Sequence, residues 1–272
     1  AMLLTSLHSN SSFWALLLSA SAALSPLATQ AQDSEQKGYD IAKASDKSDN
    51  GFGDSTATAK MILTNKAGQS TTREMQFLTL ERTSDKVGDK SISIFSTPAD
   101  IKGTAVLSHA KIKDNDDQWI YLPAAKRVKR ISSSNKSGPF VGSEFAYEDI
   151  TAQELGKFSY KWLKTEACGN AKCELIERIP TYKNSGYSRQ LVWINTKTKQ
   201  SEMIHFFDRA KNHVKTLTFS GYKKYGKIWR WNKMNMVNHR NGKSTELVFS
   251  EWKFATGLRD RDFKSSALKN LR

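Results

Sequence analysis

Polar and apolar residues alternate along most of the chain after residue 55. This period of two is typical of strands with one buried and one exposed face. Turn-forming pairs such as Asn241-Gly242 separate the stretches, so neighbours are predicted to pair antiparallel. The predicted strands begin at Thr56, Thr72, Lys90, Gly103, Gln118, Lys126, Lys157, Cys173, Arg189, Gln200, His213, Ile228 and Thr245. A twisted sheet of this size tends to curl, so we predict one large, curved antiparallel sheet.

Only two helices are predicted, and both are short. The first covers Glu35 to Asp46 and ends before Asn50-Gly51. The second covers Ser265 to Leu271, near the end of the chain. No internal repeat or linker divides the sequence. We therefore predict a mainly β (α+β) fold in a single domain over residues 32–272.

The N-terminal segment has the features of a secretory signal peptide. An apolar run from Phe13 to Leu24 is shorter than the roughly 20 residues that span a bilayer. Small residues follow at Thr29 and Ala31, so residues 1–31 are predicted to be a signal peptide cleaved after Ala31. No Lys or Arg precedes the apolar run, which departs from the usual pattern. The alternative is a buried helix at the start of a cytosolic domain.

The charge balance indicates an anionic partner. Lys and Arg number 42 against 27 Asp and Glu in 272 residues, which gives a net charge of +15. Nucleic acid, an anionic membrane surface and a phosphate-bearing ligand all fit such a charge. Export argues against nucleic acid, and a mean hydropathy of −0.57 excludes a multi-span membrane protein.

The only two cysteines, Cys168 and Cys173, flank Gly169 to Lys172. In an oxidising compartment this arrangement favours a disulfide within a hairpin. A metal site would need a second pair of ligands nearby, and a redox motif more often has two intervening residues. Those two alternatives stay open, but we predict the disulfide, with no metal and no cofactor.

No catalytic motif is recognisable. The sequence lacks a Gly-x-Ser-x-Gly elbow, a phosphate-binding glycine loop and a His-Glu-x-x-His helix. We therefore predict that the protein is not an enzyme. An enzyme that acts on lipids or glycans stays open as an alternative.

The segment from Phe95 to Ile150 is the most distinctive part of the chain. Its features are Pro98 with Lys102-Gly103-Thr104, then Trp119 to Pro123, then the dense motif from Ser137 to Asp149. In these features the chain resembles the outer-membrane lipoprotein-sorting protein family of the LolA/LolB-like superfamily. The leader and Gly257-Leu258 also fit, so the resemblance covers nearly the whole chain.

The resemblance implies an incomplete β-barrel of about eleven antiparallel strands, with helices and loops as a lid over its concave side. It implies a periplasmic protein that holds acyl chains, and it suggests an exporter of the resistance-nodulation-division (RND) type as a partner. Established lipoprotein carriers have an arginine before the proline at this strand end, where it latches the lid. Here the residue is Thr97, so the latch is absent or built differently.

Large apolar side chains at alternating strand positions, with two loop phenylalanines, are the candidate lining of the lipid cavity. The predicted lipid-binding residues are Met61, Leu63, Ile94, Leu107, Trp119, Tyr121, Phe140, Phe145, Trp162, Trp193, Phe206, Trp229 and Trp231. The loop Ser132 to Glu144 has two interpretations. It is either a simple hairpin connection or a flap whose phenylalanines, Phe140 and Phe145, plug the cavity mouth.

Lys126, Arg127, Lys129 and Arg130 cluster on one predicted strand. They form either a solvated face or a docking surface for anionic head groups or an exporter. Taken together, the sequence predicts a monomeric periplasmic carrier of lipid or lipoprotein acyl chains, for transfer toward the outer membrane. The alternative is a periplasmic sensor or adaptor that binds a membrane partner without carrying cargo.

Overall fold

The computed structural model of the protein describes residues 26–82, 84 and 86–271, with side chains of the first helix from residue 30 onward. Residues 1–25 of the predicted signal peptide lie outside the described residues. Cleavage after Ala31 and the single-domain organisation stay predictions. No helix among the described residues is long and apolar enough to span a bilayer.

Thirteen strands form one antiparallel sheet, and two more form a separate hairpin. The strands are β1 Asp54–Thr64, β2 Ser70–Leu80, β3 Lys90–Thr97, β4 Ala105–His109, β5 Asp117–Leu122, β6 Arg127–Ile131, β7 Phe158–Cys168, β8 Ala171–Pro180, β9 Tyr187–Asn195, β10 Ser201–Asp208, β11 His213–Ser220, β12 Lys223–Tyr225, β13 Ile228–Arg230, β14 Lys233–Asn238 and β15 Ser244–Phe254. The sheet order is β6-β5-β4-β3-β2-β1-β15-β14-β11-β10-β9-β8-β7.

The predicted open, curved antiparallel sheet is confirmed. The edge strands β6 and β7 each pair with one neighbour and not with each other, so they do not close a barrel. The sheet has thirteen strands rather than about eleven. The short strands β4, β5 and β6 all pair in register and extend it at one end.

Strands β6 and β7 follow one another in sequence but lie at opposite edges of the sheet. Residues 132–157, which we call the strap, therefore connect one edge to the other. The strap contains four short 3-10 turns, and its apolar side chains pack against the core. The hairpin-connection interpretation of Ser132 to Glu144 is therefore wrong, since a hairpin would require β6 and β7 to be neighbours.

Alternation along the strands sorts the apolar side chains onto two faces. On β4, Val106 packs in the large core with the strap, while Ala105 and Leu107 pack in a second core. We call the face that bears Val106 the inner face and the opposite one the outer face. The C-terminal 3-10 helices, Asp260–Phe263 and Ser265–Asn270, cover the outer face near β3 to β6.

The first helix, α1, spans Pro26–Asp49 and is longer than the predicted Glu35 to Asp46. The second predicted helix is a 3-10 helix over Ser265–Asn270.

The strand predicted from Ile228 is interrupted. It divides into β13 and β14 because the backbone amide of Asn232 donates a hydrogen bond to the carbonyl of Ser220.

The predicted disulfide between Cys168 and Cys173 is confirmed. It joins β7 to β8 across the two-residue turn Gly169-Asn170, where Gly169 has a φ of 59°. Glycine adopts this left-handed conformation without steric cost. Cys173 is fully buried on the outer face beside Leu175 and Trp193.

Candidate functional site

A cavity of about 730 Å³ lies between α1 and the inner face of the sheet. Its volume falls within the roughly 300–1,000 Å³ of small-molecule pockets. Apolar side chains from eight strands line it, among them Ile176, Val192, Ile204, Phe206, Leu217 and Phe249. This lining is suited to an apolar ligand of substantial length.

Helix α1 covers the cavity with small side chains. Gly38 and Ala42 are buried, while Glu35, Lys43 and most of the other side chains of the helix are exposed. A Cβ at Gly38 would lie 2.6 Å from the backbone of Lys161 and Trp162 in β7, so only glycine permits this approach. The helix therefore packs closely on the edge strand β7 and leaves space over the neighbouring strands.

An ion pair fixes the C-terminal end of α1. Asp49 is the last residue of the helix, and its carboxylate accepts a hydrogen bond from the guanidinium of Arg230 in β13. Arg230 is only 5% exposed, and its guanidinium carbon lies 5.0 Å from the ring centre of Phe52 and 5.5 Å from that of Trp252. A cation at this position also suits the negative end of the helix dipole.

The position of the expected latching arginine is occupied by Thr97, whose hydroxyl accepts a hydrogen bond from the backbone amide of Glu74. A different arginine holds the strap, because Arg73 on β2 donates to the carbonyl of Val141. Thus Arg230 holds the helix, Arg73 holds the strap, and neither lies at the Thr97 position.

Four carboxylates gather in the part of the lining that joins the strap to β2 and α1. They belong to Asp46, Glu81, Asp89 and Glu154. Burial raises the pKa of Asp89 to about 7, and repulsion from Glu154 adds to this effect. Glu81 accepts hydrogen bonds from the backbone amides of Gly51 and Gly53 at 2.6 and 2.7 Å.

Two of the predicted lipid-binding residues, Phe206 and Trp231, line the cavity. Five others belong to the inner-face core without lining it: Met61, Leu63, Phe140, Phe145 and Trp162. Five belong to the outer-face cores: Ile94, Leu107, Trp119, Tyr121 and Trp193. Trp229 lies on the β12–β13 hairpin, with the ammonium of Lys224 at 5.7 Å from its ring centre. Lipid contact by any of these residues stays a prediction.

The predicted flap residues, Phe140 and Phe145, are fully buried in the core. Phe140 packs against Phe95 and Tyr147, with ring centres at 5.9 and 5.6 Å. They fill the inner face beside the cavity and do not stand at its mouth.

Sequence reasoning missed most of the lining, although a signal was present. Val192 with Ile194, and Ile204 with Phe206, alternate in neighbouring strands and all face the cavity. The sequence alone does not reveal which of the two alternating sets faces inward, because one bulge reverses the parity of a strand. Bulges do interrupt β7, β10 and β1.

The predicted docking residues Lys126, Arg127, Lys129 and Arg130 are all exposed. They lie on and just before β6, an edge strand, and Arg130 pairs with Asp117. Charged residues also protect such an edge from pairing with another chain. In the part of the chain that the structure describes, no group of three or more His, Cys, Asp or Glu side chains could hold a metal ion, and this includes the four carboxylates of the cavity lining.

Comparison with known proteins identifies the family. A domain from Vibrio parahaemolyticus, provisionally described as an outer membrane lipoprotein-sorting protein, is 48% identical with a TM-score of 0.84. The match covers 86% of this chain and 99% of that one. The chain belongs to the outer membrane lipoprotein-sorting protein family.

Two further structures agree with this assignment. A DUF1329 family protein from Desulfovibrio piger is 32% identical with a TM-score of 0.81, over 86% of this chain and 99% of that one. A LolA superfamily protein from Nitrosomonas europaea is 18% identical with a TM-score of 0.64, over 86% and 97%, and shows the shared fold. The sequence profile of a family described as "Uncharacterized protein" matches residues 88–270. No curated protein matches this chain.

Proposed function

We propose that this protein is a periplasmic carrier that holds the acyl chains of a lipid or lipoprotein in the cavity beneath α1. The observation that carries the proposal is the apolar-lined space of about 730 Å³ between the helix and the inner face. Membership of a lipoprotein-sorting family supports the same cargo class. The carrier would deliver its cargo toward the outer membrane.

The energetics of transfer require such a cavity. Each methylene withdrawn from a membrane must be shielded from water, at about 0.8 kcal/mol per buried group. A carrier also has to release its cargo, so its cover must open. Helix α1 fits this requirement, because its contact with the sheet depends on small residues and on the Asp49–Arg230 ion pair.

Two features support a periplasmic location. The apolar run from Phe13 to Leu24 has the length of a signal-peptide core. The disulfide between Cys168 and Cys173 is of a kind that persists in oxidising compartments. No catalytic role is included in the proposal.

The assignment of the cavity as the acyl-binding site is tested by filling the cavity with a larger side chain. Leu217→Trp places a large ring in the cavity, since Leu217 lines it and is 4% exposed. Thr218→Trp is the matched control, because the adjacent residue of β11 is exposed on the other face. We expect Leu217→Trp to weaken binding of a fluorescent fatty acid by on the order of tenfold, and Thr218→Trp to change it little. Equal affinities in both variants and the wild type would contradict binding in this cavity.

We also propose that Lys126, Arg127, Lys129 and Arg130 dock the carrier on anionic head groups or on an RND-type exporter. All four residues are exposed on one edge of the sheet. Lys126→Glu with Arg127→Glu should reduce sedimentation with phosphatidylglycerol vesicles in low salt. Lys211→Glu with Lys243→Glu, at two other exposed positions, changes the net charge equally and should have less effect. Equal losses in both double variants would mean that net charge alone governs binding.

A further inference from the structure

Arg178 is a cation inside the cavity lining. It lies on the inner face of β8 and lines the cavity together with Ile176. Its Nε donates a hydrogen bond of 2.8 Å to the side-chain oxygen of Gln190, which is itself only 2% exposed. Its guanidinium carbon lies 4.5 Å from the ring centre of Phe158. The side chain is therefore held in place at its stem and on one face.

The charge of Arg178 has no direct counter-ion among the described residues, since no carboxylate lies within 4.0 Å of it. Two buried cations of the protein differ, because Arg230 pairs with Asp49 and Lys157 pairs with Asp116. Arginine keeps its charge at neutral pH even when burial lowers its pKa. A half-buried charge without a partner loses part of its hydration, so an anion beside Arg178 would stabilise the protein.

Asp149 is the nearby carboxylate, but its hydrogen bonds go elsewhere. It accepts from the backbone amide of Ala146 at 2.7 Å and from the hydroxyl of Tyr187 at 3.0 Å. Burial raises the pKa of Asp149.

The remaining N–H groups of the Arg178 guanidinium find no acceptor in the described part of the chain. An arginine can donate five hydrogen bonds in a fixed fork that matches carboxylate and phosphate oxygens. A second polar group of the lining is also unpartnered. Thr151 is 7% exposed, and its hydroxyl has no hydrogen-bond partner. The lining thus offers polar groups that its own side chains do not satisfy.

We infer that Arg178 binds the anionic head of an acyl ligand, so that the cavity takes amphiphiles with a carboxylate or phosphate group rather than neutral lipids. This inference rests on the proposed carrier function and names the ligand class of the same cavity. The apolar side chains of the cavity bind the acyl chain of the ligand, and the guanidinium of Arg178 selects its anionic head group.

The test compares three ligands with the same hexadecyl-length chain: palmitate, hexadecyl phosphate and hexadecan-1-ol. Binding to the wild-type protein is measured by displacement of a fluorescent probe. We expect at least one anion to bind about tenfold or more tightly than the alcohol, which is the range of a charge-assisted hydrogen bond. The stronger of the two anions identifies the head group as carboxylate or phosphate.

Arg178→Gln should abolish that preference and leave the affinity for the alcohol within about twofold. Arg178→Lys keeps the charge and should retain part of the preference. Arg189→Gln is the control, since Arg189 lies on the neighbouring strand, pairs with Glu177 and does not line the cavity. The melting temperature of each variant separates a folding defect from a binding defect.

The outcomes separate the two proposals. If the wild type binds the alcohol with the same affinity as the anions, or if Arg178→Gln keeps the preference, the proposed role of Arg178 is wrong and the carrier function stands. If no ligand binds the wild type, the carrier function fails, and the assignment of Arg178 fails with it.

Discussion

Two regions of the inner face are built from the same alternating apolar pattern but end in different states. Around Phe95, the strap inserts Phe140 and Phe145, both fully buried, and the region is filled. Beneath α1, the facing helix presents Ala42 and Ser45, and a cavity of about 730 Å³ remains. Whether a strand face becomes core or cavity therefore depends on the side chains of the segment that covers it.

The charged groups of the filled region and of the hollow region also differ. Beside the filled region, Lys157 and Asp116 form a buried ion pair at 3% and 6% exposure. In the hollow region, Arg178 has no carboxylate partner among the described residues, and Asp89 and Glu154 face each other as like charges. The ion pair of Asp49 and Arg230 also lines the hollow region, but there Arg178 keeps donor groups free beside the space for a ligand.

The largest expected effect comes from removing one aromatic ring from the filled region. Phe140→Ala should lower the free energy of unfolding by about 4 kcal/mol, because it leaves a void in a packed core. Phe219→Ala, which removes the same ring from the cavity lining, should cost only about 1 kcal/mol. Urea denaturation of both variants measures this contrast, and equal losses would mean that the two regions are packed alike.

A smaller effect is expected from the contact between α1 and the sheet. Gly38→Ala should destabilise the protein by about 2 kcal/mol, since the added methyl group would lie 2.6 Å from the β7 backbone. Alanine's better helix propensity offsets part of this cost. Glu35→Ala, at an exposed position of the same helix, serves as the control in thermal melts. A Gly38→Ala variant as stable as the wild type would show that the helix does not depend on this approach.

The ion pair at the end of α1 should contribute about 1.5 kcal/mol to holding the helix down. Arg230→Gln removes the charge that faces Asp49. We expect faster amide hydrogen exchange in the last two turns of α1 and little change in the strap. Lys227→Gln, on the exposed turn of the same hairpin, should leave exchange unaltered. Uniform acceleration across the whole protein would instead indicate global destabilisation.

The smallest effect concerns the pH dependence of stability. The pKa of Asp89 is about 7 in the folded protein against 3.8 for the free side chain, so the folded state retains the proton between these values. Its contribution to stability is therefore present at low pH and is lost as the pH rises toward 7.

Asp89→Asn should remove this loss and raise stability at pH 8 by on the order of 1 kcal/mol, with no gain at pH 4. Melting temperatures across this range provide the measurement, with the exposed Asp114→Asn as control. A gain that is equal at both pH values would rule out titration of Asp89 as the cause.

Part of the site could be predicted from residues close together in sequence. The disulfide followed from two cysteines on either side of a turn. Phe206 and Trp231 were identified among the cavity-lining residues. Trp119 and Tyr121 instead face the C-terminal segment on the outer face, because the parity of each strand is set by its register with distant neighbours. Arg178 was not recognised, since nothing in its local sequence distinguishes a cavity arginine from an exposed one.

Local sequence determined the strands, the turns and the position of half of α1, because alternation and turn residues act over a few positions. Through its motifs, it also determined the resemblance to a lipoprotein-sorting family. The tertiary structure alone decided that β6 and β7 form opposite edges, that the strap connects them and that Arg230 meets Asp49. These features depend on contacts between residues far apart in the chain, and the cavity exists only where those contacts leave the inner face unfilled.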